Sequence, residues 1–259
     1  MIVFAGITPH SPSLVPSISG EKIKVAKKTV TAITDLEKKL YLAHPDTLII
    51  LSPHGKAISG SASIYLDETH ECTLREVGDY STKITCQPDI ELIEKLRHRA
   101  ISEGVTMTLK TVKDLDYGIV VPLYYLTKHL KKVKVIAINS HIGGFKENYN
   151  LGKILKEELS KTNRRVAIIT STDLAHSALT YSAEKAKQFD KALVKLIENN
   201  NLTGLLNLEK SDLANAKPCG LALLLLMLGM MDGMTHSAQN YSYEAPFGVG
   251  YLVTFFKLP

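Results

Sequence analysis

Three histidines stand shortly after apolar segments that have the composition of β-strands. His10 and His54 each follow a proline directly, and His176 ends a short polar stretch. The preceding apolar segments are residues 2–7, 47–51 and 165–171. In α/β proteins with parallel sheets, ligands bind outside the carboxyl ends of the strands. The three histidines are therefore candidates for one site of metal binding and proton transfer.

The repetition of the Pro-His pattern is what favours a site over ordinary loop histidines. A lone histidine after a strand is usually a loop residue. Proline fixes its own φ angle and lacks an N–H donor, so His10 and His54 each lie on a stiffened turn. Metal sites commonly use neutral imidazole, which such a turn can hold in place.

The third ligand of such a site is open at this point. Two histidines and one anionic ligand leave coordination positions free, as in non-haem Fe(II) oxygenases and catalytic zinc sites. Cys219 precedes an apolar segment that is predicted to be helical, and a helix N-terminus lowers a thiol pKa. An inert core cysteine is the alternative for Cys219, and Glu244 is a competing carboxylate. His141 follows another predicted strand and either lines the same pocket or is a loop residue.

Strand-like and helix-like segments alternate along most of the chain. This alternation predicts an α/β fold in which a mostly parallel central sheet is flanked by helices. The predicted strands are residues 2–7, 47–51, 133–139, 166–171 and 249–256. The predicted helices are residues 21–43, 89–103, 121–130, 147–161, 182–198 and 219–231. Residues 61–66 and 80–86 are predicted to form a small antiparallel insertion or an edge hairpin. Since no linker is visible, residues 1–259 are predicted to be one domain.

The composition is that of an ordinary globular protein. The 259 residues are 45% hydrophobic and 22% charged, with a formal net charge of +5. The basic stretch 128–134 lacks interleaved aromatic residues, which argues against nucleic acid as a partner. The apolar run 221–231 is shorter than the roughly 20 residues that span a bilayer, so no membrane association is expected. No secretory signal is visible, and the expected location is the cytoplasm.

Five segments, in this order along the chain, resemble those of the LigB-type class III extradiol dioxygenases. The first two resemble the metal-histidine segments, the third an Asp-His-Gly…Val-Pro-Leu segment and the fourth a Ser-x-Asp-x-x-His catalytic segment. The fifth resembles the segment that carries the third metal ligand. They are residues 7–12, 51–55, 116–123, 171–176 and 219–229. The resemblance extends from residue 2 to about residue 256.

The resemblance implies a set of roles. His10, His54 and Cys219 would bind a metal ion, Fe(II) in a dioxygenase, and His176 would be the acid/base toward the substrate. The implied reactants are dioxygen and a catechol- or aminophenol-like aromatic compound. We expect Asp173 to cap the following helix or to orient the His176 imidazole.

Two residues depart from the dioxygenase pattern. Tyr117 stands where those enzymes have a second active-site histidine. Cys219 replaces the carboxylate that normally serves as the third ligand, as in the Memo branch. A thiolate shifts preference toward zinc or copper. The alternatives are therefore a Memo-like metal-binding protein without dioxygenase activity and a zinc-dependent hydrolase. A homo-oligomer is compatible with the sequence, and some relatives need a second small subunit.

Overall fold

The most apolar strands lie at the centre of an eight-stranded mixed sheet. Every residue of the strand Thr47–Leu51 is buried. Leu48 and Ile50 pack into one core cluster, whereas Ile49 and Leu51 pack into the other. Because alternate side chains of a strand point to opposite faces, such a strand needs cover on both sides. The protein accordingly has three layers, and the predicted α/β fold class is confirmed.

The computed structural model describes residues 1–56, 58–130, 132–177 and 181–259. The strands are β1 (Ile2–Thr8), β2 (Thr47–Leu51), β3 (Ala62–Tyr65), β4 (His70–Leu74), β5 (Asp79–Cys86), β6 (Met107–Lys110), β7 (Lys134–Ser140), β8 (Val166–Ser171), β9 (Ser237–Glu244) and β10 (Tyr251–Lys257). The helices are α1 (Pro16–Ser19), α2 (Lys27–Leu42), α3 (Ile90–Ser102), α4 (Tyr117–Leu126), α5 (Phe145–Lys161), α6 (Ala183–Glu198), α7 (Leu202–Leu206), α8 (Lys210–Ala216) and α9 (Leu221–Met230). Short 3-10 segments cover Pro12–Leu14, Gly20–Ala26 and Arg75–Val77.

The strand order of the large sheet is β6-β3-β7-β2-β8-β1-β10-β9. β2, β8 and β1 are neighbours and run parallel, so their carboxyl ends meet at the same edge of the sheet. β10 pairs antiparallel with β1 and with β9. Helices α3, α5, α6 and α9 cover one face. Helices α2 and α4 cover the other face together with the separate two-stranded sheet of β4 and β5.

The predicted small antiparallel insertion is confirmed, but one of its two strands is not the one expected. The segment 61–66 does not pair with the segment 80–86, because β3 joins the large sheet between β6 and β7. All four residues of β3 are buried, as expected for an interior strand. The partner of β5 is instead β4, which the sequence did not indicate because it mixes polar and apolar residues.

Two predicted helices differ from the structure by four or more residues at one or both ends. The helix expected over 21–43 begins as a 3-10 segment, where only Ala26 is buried and no apolar face can stabilise an α-helix. The helix expected over 121–130 is α4, which begins at Tyr117 and ends at Leu126. Glu76 accepts the free backbone N–H of Tyr117 at 2.7 Å, and this contact allows the earlier start.

Among the described residues, no single helix combines the length and apolarity needed to cross a membrane. Only α8 and α9 taken together reach that length and composition, and a bend of 118° separates them. Lys131, which belongs to the basic stretch noted in the sequence, lies outside the described residues.

Candidate metal centre

Three strand ends and one helix start bring the candidate residues together. His10 follows β1, His54 follows β2, and the loop with Asp173 and His176 follows β8. Cys219 lies just before α9, whose residues pack against β8. Because β2, β8 and β1 are parallel neighbours, their following loops necessarily converge.

The side chains of His10, His54 and Cys219 form a compact group of donor atoms. The two Nε2 atoms of His10 and His54 are 2.9 Å apart, and Cys219 Sγ is 3.5 Å from His10 Nε2. One donor atom from each residue lies within 4.8 Å of the others. His10 is buried, whereas His54 and Cys219 are half-buried, so the group is partly exposed.

His10 is held from two directions. Its backbone N–H donates to Asp173 Oδ1 at 3.0 Å, and its Nδ1 lies 2.8 Å from Ser171 Oγ. Ser171 in turn donates its hydroxyl hydrogen to the backbone oxygen of Gly118 in α4. Ser171 belongs to a segment quoted from the sequence, but no role was predicted for it. The signal that could have indicated a role is that Ser171 is a polar residue at the end of an apolar strand.

The loop of His54 is fixed by a second set of contacts. The His54 backbone N–H donates to Ser52 Oγ at 3.2 Å, and the Ser52 hydroxyl donates to Asp116 Oδ1 at 2.8 Å. Asn139 donates through Nδ2 to Ser52 O at 3.1 Å and also to His54 O. Ser52, Asp116 and Asn139 are supporting residues for which the sequence analysis predicted no role.

Tyr117 contacts the outer side of His54. Its hydroxyl is 3.2 Å from His54 Nδ1, and the two ring centroids are 4.4 Å apart. Burial, together with the nearby Cys219 and Asp173, raises the pKa of Tyr117 to about 12. The phenol is therefore protonated at neutral pH and can donate or accept a hydrogen bond beside the cluster.

Glycine at position 118 is required by close packing between α4 and the His54 loop. A Cβ atom there would lie 2.4 Å from Ser52 Oγ and 2.9 Å from His54 Cδ2. Real Cβ atoms do not approach so closely, and the absence of a side chain lets the first turn of α4 lie against His54.

Burial keeps both imidazoles neutral. Burial, and then the charge of His176, lower the pKa of His10 to about 3. Burial, and then the charge of His10, lower the pKa of His54 to about 4. A neutral imidazole has a lone pair on one ring nitrogen, so neither ring needs to lose a proton at neutral pH in order to bind a cation.

Cys219 differs from the sequence-based expectation in one respect. A lowered pKa was expected from a helix N-terminus, but burial, and then the charge of Asp173, raise its pKa to about 12. Cys219 precedes the capping residue Gly220 and receives a hydrogen bond from the backbone N–H of Asp173 at 3.2 Å. That bond favours the thiolate, but the loss of hydration outweighs it in the metal-free protein.

Asp173 and His176 complete the polar group after β8. Burial raises the pKa of Asp173 to about 6, and its Oδ2 is 3.8 Å from His10 Nε2. The expectation that Asp173 caps the following helix is wrong, because Ser182 caps α6. The His176 backbone N–H donates to Ala216 O at 2.8 Å. Its imidazole lies near enough to lower the pKa of His10 and of His54, and its buried Nδ1 has no hydrogen-bond partner among the described residues.

Two further candidates from the sequence lie elsewhere. Glu244 Oε1 accepts hydrogen bonds from Thr29 N at 2.8 Å and Thr29 Oγ1 at 2.7 Å, so this carboxylate satisfies the first turn of α2. His141 exchanges backbone hydrogen bonds with Gly60 and Ser61, and burial, and then the charge of Lys110, lower its pKa. Neither belongs to the group of donor atoms around His10.

The two donor-atom separations that involve His10 fit a single metal ion. Two nitrogen ligands at right angles, each about 2.0–2.1 Å from a metal ion, lie about 2.9 Å apart. A nitrogen and a sulfur that bind the same metal ion at their usual bond lengths lie about 3.1–3.6 Å apart. This range applies when the angle at the metal ion lies between a right angle and the tetrahedral value. The separations of 2.9 Å between nitrogens and 3.5 Å between nitrogen and sulfur match these values. Two imidazoles and a thiol suit zinc, copper or iron rather than magnesium or calcium.

Comparison with known proteins gives a family and a fold. Residues 5–254 match the family described as the catalytic LigB subunit of aromatic ring-opening dioxygenase. A protein of Clostridium acetobutylicum named CA_C1420 is 26% identical over 258 residues, which are 95% of this chain and 55% of that protein. A 2,3-dihydroxyphenylpropionate/2,3-dihydroxicinnamic acid 1,2-dioxygenase of Escherichia coli is 26% identical over 106 residues, 39% of this chain and 34% of that enzyme. The chain thus spans about half, or less, of these relatives.

A solved structure shares the fold at low sequence identity. It is the crystal structure of the uncharacterized protein JW3007 from Escherichia coli K12, with a TM-score of 0.68 and 14% identity. The match covers 98% of this chain and 99% of that one. The family resemblance noted in the sequence is confirmed.

Proposed function

We propose that this chain, which belongs to the family of the catalytic LigB subunit of aromatic ring-opening dioxygenases, is a metal-dependent ring-opening enzyme. Its substrate would be a catechol- or aminophenol-like compound, and dioxygen the second reactant. The single observation that carries the proposal is the convergence of His10, His54 and Cys219 within 4.8 Å at the carboxyl ends of the central strands. Fe(II) held by these residues would supply the redox chemistry between the aromatic ring and dioxygen.

The protein's own groups divide the remaining work. His176 would take the proton of a substrate hydroxyl and return it, and this role is supported by its buried Nδ1, which has no hydrogen-bond partner among the described residues. Tyr117 has a hydroxyl next to His54 that can donate a hydrogen bond to a substrate oxygen. Asp173, whose pKa is raised by burial to about 6, holds the backbone of His10 and adds negative charge near the centre.

A second function is favoured by Cys219. Zinc also accepts both imidazole and thiolate ligands, and zinc with an open position activates water for hydrolysis. A Memo-like metal-binding protein without dioxygenase activity has the same donor set. These alternatives share the metal centre with the main proposal and differ in the metal and in the reaction.

The experiment begins with metal analysis of protein purified without added metal. The protein is then reloaded with Fe(II) under anaerobic conditions, and oxygen uptake is measured on a panel of catechols and aminophenols. Ring opening predicts equal consumption of oxygen and substrate. The matched control is His176→Ala, which should keep its metal and lose turnover. Stoichiometric iron without oxygen uptake on any compound would overturn the ring-opening proposal, and hydrolysis of a model ester by the zinc form would favour the second function.

A further inference from the structure

We propose that Ser171 is a positioning residue that fixes the tautomer of His10, so that its Nε2 lone pair faces His54 and Cys219. The hydrogen bond that makes this possible depends on Pro122. The use of this lone pair in metal binding rests on the proposed function. The tautomer itself can be measured in protein without a metal ion.

Pro122 leaves one backbone oxygen of α4 without its helical partner. In an α-helix the N–H of each residue donates to the carbonyl four residues earlier, which for position 122 is Gly118 O. Proline has no N–H, and its ring crowds that carbonyl. Gly118 O is therefore free to accept from outside the helix, and the Ser171 hydroxyl donates to it.

The direction of this bond determines the next one. A carbonyl oxygen can only accept, so the single hydrogen of the Ser171 hydroxyl is used on Gly118 O. Ser171 Oγ is 2.8 Å from His10 Nδ1 and has only lone pairs left for that contact. His10 must therefore donate, which places its hydrogen on Nδ1. The other ring nitrogen, Nε2, keeps its lone pair.

The same reasoning continues to His54 and gives a contrast between the two rings. His10 Nε2 lies 2.9 Å from His54 Nε2, and since His10 Nε2 accepts, His54 Nε2 must carry the hydrogen in the metal-free protein. His54 Nδ1 then accepts from the hydroxyl of Tyr117 at 3.2 Å. A metal ion would need the opposite tautomer of His54, with Nδ1 donating to Tyr117. His10 is thus preset for ligation, whereas His54 must change its tautomer.

Nitrogen-15 NMR of the histidine rings tests this assignment without activity. In metal-free wild-type protein we expect His10 to carry its hydrogen on Nδ1 and His54 on Nε2. After addition of Zn²⁺ we expect His54 to change to the Nδ1–H form and His10 to remain unchanged. A metal-free wild type with the hydrogen of His10 on Nε2 would overturn the proposal, and this measurement needs no variant.

The variant Ser171→Ala removes the hydroxyl. We expect the His10 tautomer to become mixed and the affinity for Zn²⁺ to fall about 10–100-fold, the usual effect of losing a partner of a ligand histidine. The matched control is Ser63→Ala, which removes another buried serine hydroxyl, one without a hydrogen-bond partner among the described residues. An unchanged tautomer and affinity in Ser171→Ala would overturn the proposal. A wild type with the expected His10 tautomer but no affinity for Zn²⁺ or Fe(II) would refute the proposed metal centre and support the role of Ser171.

Discussion

The three cysteines of the described chain occupy two contrasting environments. Cys219 Sγ lies 3.5 Å from an imidazole nitrogen at the end of the central sheet. Cys72 and Cys86 lie in the small two-stranded sheet, with their sulfur atoms 3.4 Å apart and apolar core residues around them. The sulfur-to-neighbour distances are nearly equal, so the neighbouring group decides the chemistry. Imidazole lone pairs make Cys219 a ligand candidate, whereas a second thiol in an apolar environment makes the pair a packing element.

The contrast extends to protonation. Burial raises the pKa of Cys219 to about 12, and a hydrogen bond with Cys86 together with burial raises the pKa of Cys72. Both thiols therefore hold their protons in the metal-free protein at neutral pH. A cation bound beside His10 and His54 would deprotonate Cys219 and leave Cys72 unaffected.

The largest effect is expected for removal of a ligand histidine. His10→Ala or His54→Ala should lower the affinity for Zn²⁺ by more than about 100-fold, above the range for loss of a supporting partner. Competition with a chromophoric chelator measures the affinity. Cys72→Ser is the control from the other environment and should bind as the wild type does. Equal affinities of the histidine variants and the wild type would contradict the site.

The pH dependence of metal affinity separates Cys219 from the two histidines. Between pH 7 and 9 both imidazoles are already neutral, because their pKa values are about 3 and about 4. The Cys219 thiol, with a pKa of about 12, still has a proton to lose. Metal binding should release about one proton, and the apparent affinity should rise about tenfold per pH unit. In Cys219→Ser the affinity should be weaker and nearly independent of pH. A steep pH dependence in that variant would mean that a group other than Cys219 loses the proton released on metal binding.

The sequence predicted the convergence of the histidines because strand ends and Pro-His turns are local signals. It did not predict the contact of Ser171 with Gly118, which joins residues far apart in the chain and depends on a missing helical donor. The pKa of Cys219 was expected to be low from its place near a helix, but the degree of burial is a tertiary property. For the same reason Glu244 was a plausible ligand, although β9 carries it to the start of α2.

Thiol labelling tests whether the two cysteine environments differ in access. With metal bound, we expect none of the three cysteines of the native protein to react with N-ethylmaleimide. After chelation, half-buried Cys219 should react slowly at pH 7 and faster at pH 9, since the thiolate is the reactive form. The buried Cys72 and Cys86 should react only after unfolding. Mass spectrometry of peptides locates the label. Reaction of Cys72 before Cys219 would contradict the expectation that Cys219 is the more accessible thiol.

The smallest effect is expected at the competing carboxylate. Glu244→Ala should lower the free energy of unfolding by about 1 kcal/mol, because α2 loses an acceptor in its first turn. Its metal affinity should equal that of the wild type. Glu94→Ala, at an exposed position of α3, is the matched control for stability. A loss of metal affinity in Glu244→Ala would return this residue to the ligand set.

The position of β1 between β8 and β10 has a consequence for synthesis on the ribosome. On the ribosome β1 has no partner in the sheet until residues 166–171 have been made, and its second neighbour follows only with residues 251–257. Cys219 emerges 209 residues after His10. A nascent chain therefore cannot assemble these three donor atoms until residue 219 has left the exit tunnel. Metal capture by this set must be a late event that follows the long-range pairing of strands, which is itself slow.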